Sequence, residues 1–170
     1  MTTFVLTVLG DDRPGLVDTL SGLVSRHGGS WERSEMARLG GKFAGIVQVV
    51  VPEAGAAGLQ AALSALHDDG LQVIIERTEA DVAPSGHRVG LSLVGTDQPG
   101  LVHAMSAAIA SIGASIEELA TATSDAPMSG GPLFTATATV VLPATVTVDQ
   151  LRAQLEDLAG NLMVDIDLTD

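Results

Sequence analysis

The chain has 170 residues, of which 46% are hydrophobic and 2% aromatic, and it contains no cysteine. Zero cysteine excludes disulfides, thiolate catalysis and cysteine-ligated metals. Eight Lys and Arg face 21 Asp and Glu, giving a formal charge of −13, so a nucleic-acid backbone would be repelled on average. With no basic leader and no apolar run near the roughly 20 residues that span a bilayer, we expect a cytoplasmic protein that contacts neither nucleic acid nor membrane directly.

The first half reads as six elements in chain order. Residues 4–9 form an apolar, β-branched run that predicts a buried strand, and Pro14 then opens an amphipathic helix that ends at Gly28. The polar residues 30–39 are typical of an edge strand, whereas residues 43–51, apolar on both faces, indicate a central strand. A second helix around residues 59–66 and an alternating strand at 71–75 complete the half.

The second half repeats this order. The segment DDRPGLV at residues 11–17 returns as TDQPGLV at 96–102, and Gly28 and Ser30 are matched by Gly113 and Ser115, all 85 positions apart. Strands are predicted at residues 89–94 and 162–168, with Pro99 opening the helix. Beyond the second strand the offset grows to 91, which locates an insertion at residues 125–132. Its Gly- and Pro-rich sequence predicts a mobile surface loop or, alternatively, a flap.

The duplication predicts two small domains. We place them at residues 1–80 and 89–170, joined by a linker at 81–88 that contains Pro, Ser and Gly. Each half has the order βαββαβ, which predicts two ferredoxin-like domains of the α+β class, with helices on one face of an antiparallel sheet and strands one and three at its centre. Because one core of this size supplies little surplus stability, we expect the halves to bury surface against each other or against a second chain, and we expect a homo-oligomer.

Two segments resemble a known family. Residues 10–17, GDDRPGLV, and 95–102, GTDQPGLV, are similar to the strand-loop-helix motif of ACT domains. The tandem arrangement, together with EMARLGGKFAGI at residues 35–46, resembles the glycine cleavage system transcriptional repressor group. The resemblance implies a regulatory module that binds a small ligand, typically an amino acid, at the interface between ACT domains. It also implies action through a protein partner such as a transcription factor.

The repeated loop predicts a ligand site. A helix N-terminus presents unpaired N–H groups and the positive end of the helix dipole, which suit a carboxylate, and a nearby Asp suits an ammonium group. The candidate ligand-binding residues are Asp12, Arg13, Pro14, Gly15, Leu16 and Ser30 in the first half, and Asp97, Gln98, Pro99, Gly100, Leu101 and Ser115 in the second. Alternatively, Asp12 and Asp97 are only helix N-caps.

The resemblance also marks departures at these positions. Amino-acid-binding members of the family carry an amide where Asp12 and Asp97 stand, and another where Ser30 and Ser115 stand. Some members have a histidine two places before the loop amide, at the positions of Gly10 and Gly95 here. Because Arg13 is matched by Gln98, the two loops are expected to differ in specificity.

Three functions remain open at this point. The leading hypothesis is a non-catalytic regulatory protein that senses an amino acid, with no cofactor and no metal. The alternatives are a small hydrolase-type enzyme using the paired Asp loops and a purely structural oligomerisation module. No nucleophile stands beside a base in the sequence, and no metal-binding triad is visible, so we expect no catalysis.

Overall fold

The chain divides into two compact units, Met1–Val82 and Ala83–Asp170. A computed structural model describes residues 1–79, 85–125 and 131–169. Part of the proposed linker, residues 81–84, therefore lies outside the described residues, as does most of the insertion at 125–132. The second unit's first strand begins at His87, two residues before the proposed domain start, because the strand extends beyond the apolar run that indicated it.

The first unit, unit 1, contains four strands and two helices. They are β1 (Thr2–Asp11), α1 (Leu16–Arg26), β2 (Ser30–Leu39), β3 (Lys42–Val51), α2 (Glu53–Ala65) and β4 (Leu71–Thr78), with a 3-10 turn at Leu66–Asp69 before β4. The strands pair antiparallel in the order β2-β3-β1-β4. The predicted edge strand is therefore at the edge, and strands one and three are central as predicted.

The second unit, unit 2, repeats this topology. Its elements are β5 (His87–Thr96), α3 (Leu101–Ser111), β6 (Ser115–Asp125), β7 (Pro132–Leu142), α4 (Val148–Leu162) and β8 (Val164–Thr169), and its strands lie in the order β6-β7-β5-β8. Leu162 ends α4 instead of opening the last strand as predicted. The α+β class with two ferredoxin-like units is confirmed.

The helices of unit 1 cover only one face of its sheet. In β1, Phe4, Leu6 and Val8 are buried in a core shared with α1 and α2, whereas Leu9 is 43% exposed. The strand predicted at residues 4–9 is therefore buried at alternate positions, and residues 43–51 form the predicted central strand with only one of their two apolar faces covered by helices. We call the other side of the unit 1 sheet, which carries Val5, Thr7, Leu9, Ile46 and Ile74, the open face of unit 1.

A tight turn joins β2 to β3 beside the first loop. Leu39 pairs with Lys42, so the turn has two central residues, Gly40 and Gly41, with φ of 58° and 78°. Two consecutive positive φ angles are what a type I′ hairpin requires, and glycine adopts them without steric cost. The turn brings the end of the hairpin to the residues that follow β1, where the candidate site lies.

Candidate functional site

The two Pro-Gly loops have the same backbone conformation. Gly15 has φ 89° and ψ 1°, and Gly100 has φ 94° and ψ 0°. These angles match the third residue of a type II turn, a position that favours glycine after proline. The helices consequently begin at Leu16 and Leu101, and Pro14 and Pro99 lie in the turns before them. The prediction that proline occupies the first helical turn is wrong.

No side chain caps either helix within the described residues. Gly15 and Gly100 occupy the N-cap positions of α1 and α3, and neither helix has a side-chain capping hydrogen bond. By contrast, Thr147 and Gln150 form a complete capping box at α4. Asp12 and Asp97 are therefore not N-caps, and the alternative that assigned them only that role is wrong. A Cβ built at either glycine would meet no atom within 4 Å, so both helix ends open onto free space.

The first loop is fastened to the β2–β3 hairpin. The Asp12 N–H donates to the Gly41 carbonyl at 2.9 Å, and Arg38 Nη1 donates to Asp12 Oδ2 at 3.2 Å. Lys42 Nζ forms an ion pair with Asp11, and this hydrogen bond, with the lysine charge, lowers the pKa of Asp11. Asp12, whose carboxylate the sequence predicted to bind a ligand ammonium group, therefore already has a cationic partner in Arg38.

The second loop lacks these ion pairs. The Asp97 N–H donates to the Pro132 carbonyl at 2.8 Å, which matches the backbone contact of the first loop. At the positions equivalent to Arg38 and Lys42, however, unit 2 has Thr123 and Leu133. Within residues 85–125 and 131–169, the exposed Asp97 carboxylate makes no hydrogen bond or ion pair. The two loops therefore share a backbone conformation and differ in the charged side chains around them.

The side chain of the residue before each Pro-Gly pair forms a hydrogen bond within its own unit. Arg13 Nη2 donates to the Asp69 carbonyl at 3.1 Å, and Gln98 Nε2 donates to the Leu162 carbonyl at 2.8 Å. Both acceptors lie at the end of the helical segment that precedes the last strand of the unit. Different side chains therefore make the same contact, tying the loop to that helix end. The sequence did not reveal this contact, since the partners are 56 and 64 residues apart.

Ser30 and Ser115 lie far from the loop of their own unit. Ser30 pairs with Val50, which in turn pairs with Thr3 near the start of β1, whereas the loop follows Asp11 at the end of β1. Eight residues of strand separate those levels, or about 26 Å. The register of unit 2 places Ser115 in the same way, opposite Val141. Neither unit therefore brings its own six candidate residues together into a single site.

A separate polar cluster joins three elements at the start of unit 1. The buried Thr2 hydroxyl donates to Glu53 at the start of α2, and Arg77 Nη2 in β4 lies 3.2 Å from Glu53 Oε2. The Thr2 hydrogen bond and the Arg77 charge lower the pKa of Glu53. The cluster lies at the end of β1 opposite the Pro-Gly loop, so its role is to hold α2 to the sheet.

Unit 2 has a bidentate ion pair across its outer sheet surface. Arg88 Nε and Nη2 donate to the two carboxylate oxygens of Glu117 at 2.7 and 2.8 Å, and this contact raises the pKa of Arg88. Arg88 in β5 and Ser115 in β6 both pair with Val141 of β7. The ion pair therefore spans β7 and links the two strands beside it.

Among the described residues, no three metal-ligating side chains cluster, and no helix is long and apolar enough to cross a bilayer.

Comparison with known families agrees with this geometry. Residues 2–76 match the ACT domain model, and unit 2 repeats the same strand order and loop conformation. Unit 1 belongs to the ACT-domain family, and unit 2 has the same fold. Both units carry the Pro-Gly loop between their first strand and first helix, which is where the sequence resemblance was found.

Two solved structures resemble the whole chain. The crystal structure of an unknown protein from Galdieria sulphuraria is 33% identical, with a TM-score of 0.82, and the match covers 99% of this chain and 97% of that one. A protein provisionally described as a glycine cleavage system transcriptional repressor is 20% identical, with a TM-score of 0.73 and coverage of 99% and 96%. The second likeness shows the tandem fold alone. No curated protein matches the chain.

Proposed function

We propose that this chain is a non-catalytic regulatory protein that senses an amino acid through its Pro-Gly loops. The observation that carries the proposal is the pair of uncapped helix N-termini, each opening onto free space above a left-handed glycine. Unpaired N–H groups at the positive end of a helix dipole favour a carboxylate ligand. No side chain caps either of these two termini, whereas α4 of the same chain has a complete capping box.

The ligand ammonium is assigned first to the second loop. A carboxylate with no other ion-pair partner attracts a cation more strongly than one already beside a guanidinium, since the second cation must share the charge. Within the described residues Asp97 has no such partner, whereas Asp12 has Arg38 at 3.2 Å. The Asp97 loop is therefore proposed as the zwitterion site, and the Asp12 loop as one that favours ligands with a further negative group.

Each complete site is proposed to need two ACT units. Ser30 and Ser115 lie about 26 Å along the strands from the loops of their own units. A site that contains both a loop and the start of an edge strand therefore takes these parts from different units. Ligand binding then favours one packing of ACT units over another, which is what coupling to a partner requires.

The signal is proposed to pass to a protein partner in the cytoplasm. The resemblance of residues 35–46 and of the tandem arrangement to the glycine cleavage system transcriptional repressor group implies a transcription factor as the partner. A formal charge of −13 opposes direct contact with DNA. Regulation of transcription through protein contact is compatible with both observations.

The test measures the binding of a panel of the common amino acids, both by thermal unfolding and by isothermal titration calorimetry. A ligand at about 100 times its Kd should stabilise the folded chain by about 2.7 kcal/mol. Each active amino acid is compared with its α-hydroxy acid, which keeps the carboxylate and lacks the ammonium. We expect the hydroxy acid to bind more weakly.

The panel also decides between the alternatives. If no amino acid produces heat or a thermal shift, the sensor proposal fails, and a purely structural module becomes the better description. Equal binding of an amino acid and its hydroxy acid would remove the assigned role of Asp97 while leaving the carboxylate contact intact. Turnover of any panel compound would favour the enzyme alternative.

A further inference from the structure

The four edge strands of the two sheets differ in how they are protected from pairing with a further strand. An edge strand presents unpaired backbone N–H and C=O groups, and proteins blunt such edges with bulges, charged side chains or short strands. β2 and β6 each contain a bulge. β8 has only six residues, and Asp165 and Asp167 alternate along its exposed side. Three of the four edges are therefore protected.

The fourth edge, β4, is regular and uncharged over most of its length. Its eight residues, all of which the structure describes, pair with β1 in one unbroken register. The first five, LQVII at residues 71–75, include no charged residue, proline or glycine. Ile74 is 62% exposed and occupies the position at which β8 has Asp167. An edge of this kind is a template for pairing with another strand.

The sequence of β4 is self-complementary when two copies pair antiparallel. In the register that places the Ile74 residues of both copies opposite each other, Gln72 lies opposite Glu76, on the open face of unit 1. Val73 then lies opposite Ile75, on the side that the helices cover. Both of these pairs occur twice. Each apolar side chain meets an apolar one, and each carboxylate meets an amide, which are favourable cross-strand pairs.

This match is specific to one register and to unit 1. Opposing side chains must lie on the same face, so the smallest allowed shift is two residues, and it places Ile74 opposite Glu76 or Gln72. In β8 the equivalent register would place Asp167 opposite its own copy. Like charges directly opposite each other destabilise a strand pair, so the second unit is not expected to pair in this way.

Helix α2 is compatible with contact at this edge. It lies over the β4 side of the sheet, where Glu53 contacts Arg77, so pairing of β4 brings the α2 helices of two copies alongside each other. Between Glu53 and His67 the helix carries no charged side chain, and most of its residues are Ala, Gly and Ser. Two such helices approach each other without like-charge repulsion at the usual separation of about 8–10 Å.

We propose that the β4 strands of two copies of this chain pair antiparallel about a two-fold axis perpendicular to the sheet. The two four-stranded sheets of unit 1 then form one continuous sheet with all its helices on the same side. Such a contact is isologous, because each copy contributes the same surface. β2 lies at the opposite edge of each sheet and stays unpaired in this dimer.

The central test gives β4 the charge that protects β8. The full-length Ile74→Asp variant should fold with an unchanged circular dichroism spectrum, since aspartate already occupies the equivalent position of unit 2. Sedimentation equilibrium should show that the wild type dimerises and that the variant does so with a Kd raised roughly 100-fold. A dimer that survives Ile74→Asp, or a wild type that stays monomeric, overturns the proposal.

Ile46→Thr is the matched control. Ile46 is 52% exposed on the same open face, but it lies in the central strand β3, and unit 2 has Thr137 at the equivalent position. Because β3 has neighbours on both sides, its substitution should leave the Kd of the dimer unchanged. A loss equal to that of Ile74→Asp would assign the contact to the face of the sheet and reject pairing at the edge.

Exchange of the polar pair tests the register. Gln72→Glu should weaken dimerisation, because it places a carboxylate opposite Glu76. The double variant Gln72→Glu/Glu76→Gln should restore it, since the pair of amide and carboxylate forms again with its members exchanged. Failure of the double variant to restore the dimer rejects this register. None of these readouts involves an amino acid, so they are independent of the ligand proposal.

Discussion

The guanidinium of Arg38 lies 3.2 Å from the carboxylate of Asp12, and the equivalent Asp97 has no such neighbour in the described part of unit 2. This difference predicts unequal mutational effects on ligand binding. Asp97→Ala should weaken amino-acid binding about tenfold or more, a loss of about 1.4 kcal/mol, whereas Asp12→Ala should change it less. Calorimetric titration of both variants with the same ligand measures the two effects.

Removing the guanidinium provides the complementary control. In Arg38→Gln the Asp12 carboxylate loses its ion-pair partner, as Asp97 lacks one, while Lys42 and Arg13 remain near the loop. We expect the first loop to gain affinity for an ammonium-bearing ligand in this variant. Equal losses from Asp12→Ala and Asp97→Ala in the wild-type background would contradict the assignment of unequal loops.

The left-handed glycines predict a second effect, on stability. Gly15→Ala and Gly100→Ala should each lower the free energy of unfolding by about 1–2 kcal/mol, because a Cβ is unfavourable at positive φ. Space is not the cause, since the added Cβ meets no atom within 4 Å. Urea denaturation measures the loss.

Gly160 is the matched control for these substitutions. It lies in α4 and is equally free of neighbours within 4 Å, but it has a helical backbone. Gly160→Ala should raise stability by about 0.5–1 kcal/mol, because alanine is the better helix former. A loss at Gly160 matching that at Gly15 would show that φ is not the determinant.

A third prediction concerns the end of α4. Met163 is the C-cap of this helix with φ 52°, and its equivalent in unit 1 is Gly70 with φ 79°. Because Met163 is 87% exposed, its side chain contributes little packing. Met163→Gly should therefore stabilise unit 2 by about 1 kcal/mol, measured as a rise in Tm. The reciprocal Gly70→Met should lower the Tm; a rise there would contradict the prediction.

The Thr2–Glu53–Arg77 cluster predicts a pH-dependent contribution. The pKa of Glu53 is lowered in the folded chain, by the Thr2 hydrogen bond first and by the Arg77 charge second. A lowered pKa adds stability above the ordinary glutamate pKa of about 4.3, and that stability disappears as pH falls through the folded-state pKa. Glu53→Gln should therefore destabilise the chain at pH 7 and have a smaller effect in acid.

Urea denaturation of the wild type and of Glu53→Gln, at neutral pH and at acidic pH, measures how the effect of the substitution depends on pH. Glu156, an exposed glutamate on α4, provides the control, and Glu156→Gln should have little effect at either pH. An effect of Glu53→Gln that stays constant between the two conditions would show that its charge is not the stabilising feature.

Much of the fold could be predicted because duplication supplies each pattern twice. The matching loops at Asp11 and Thr96 fixed the repeat, and polar β2 beside apolar β3 indicated which strand lies at the edge. The apolar runs of β1 and β3 did not show which of their two faces the helices cover, since apolar composition alone does not distinguish a covered face from an exposed one. Ile46 is the clearest example, because it lies in an apolar run and is 52% exposed.

The candidate site was less predictable because its contacts are long-range. The ion pair of Arg38 with Asp12 depends on where the β2–β3 hairpin ends. The hydrogen bonds of Arg13 and Gln98 to distant carbonyls depend on where a helical segment ends. The N-cap assignment failed for a local reason. A type II turn needs glycine at its third residue, and that residue then occupies the cap position that the sequence pattern had given to aspartate.

The separation of each serine from its own loop has a consequence for how binding would depend on concentration. If one chain supplies both halves of a composite site, the ligand concentration at half-saturation is independent of protein concentration. If two chains supply them, dilution releases the ligand together with the partner chain. Repeating one titration at several protein concentrations distinguishes these cases, and in the second the protein would measure its own abundance along with that of its ligand.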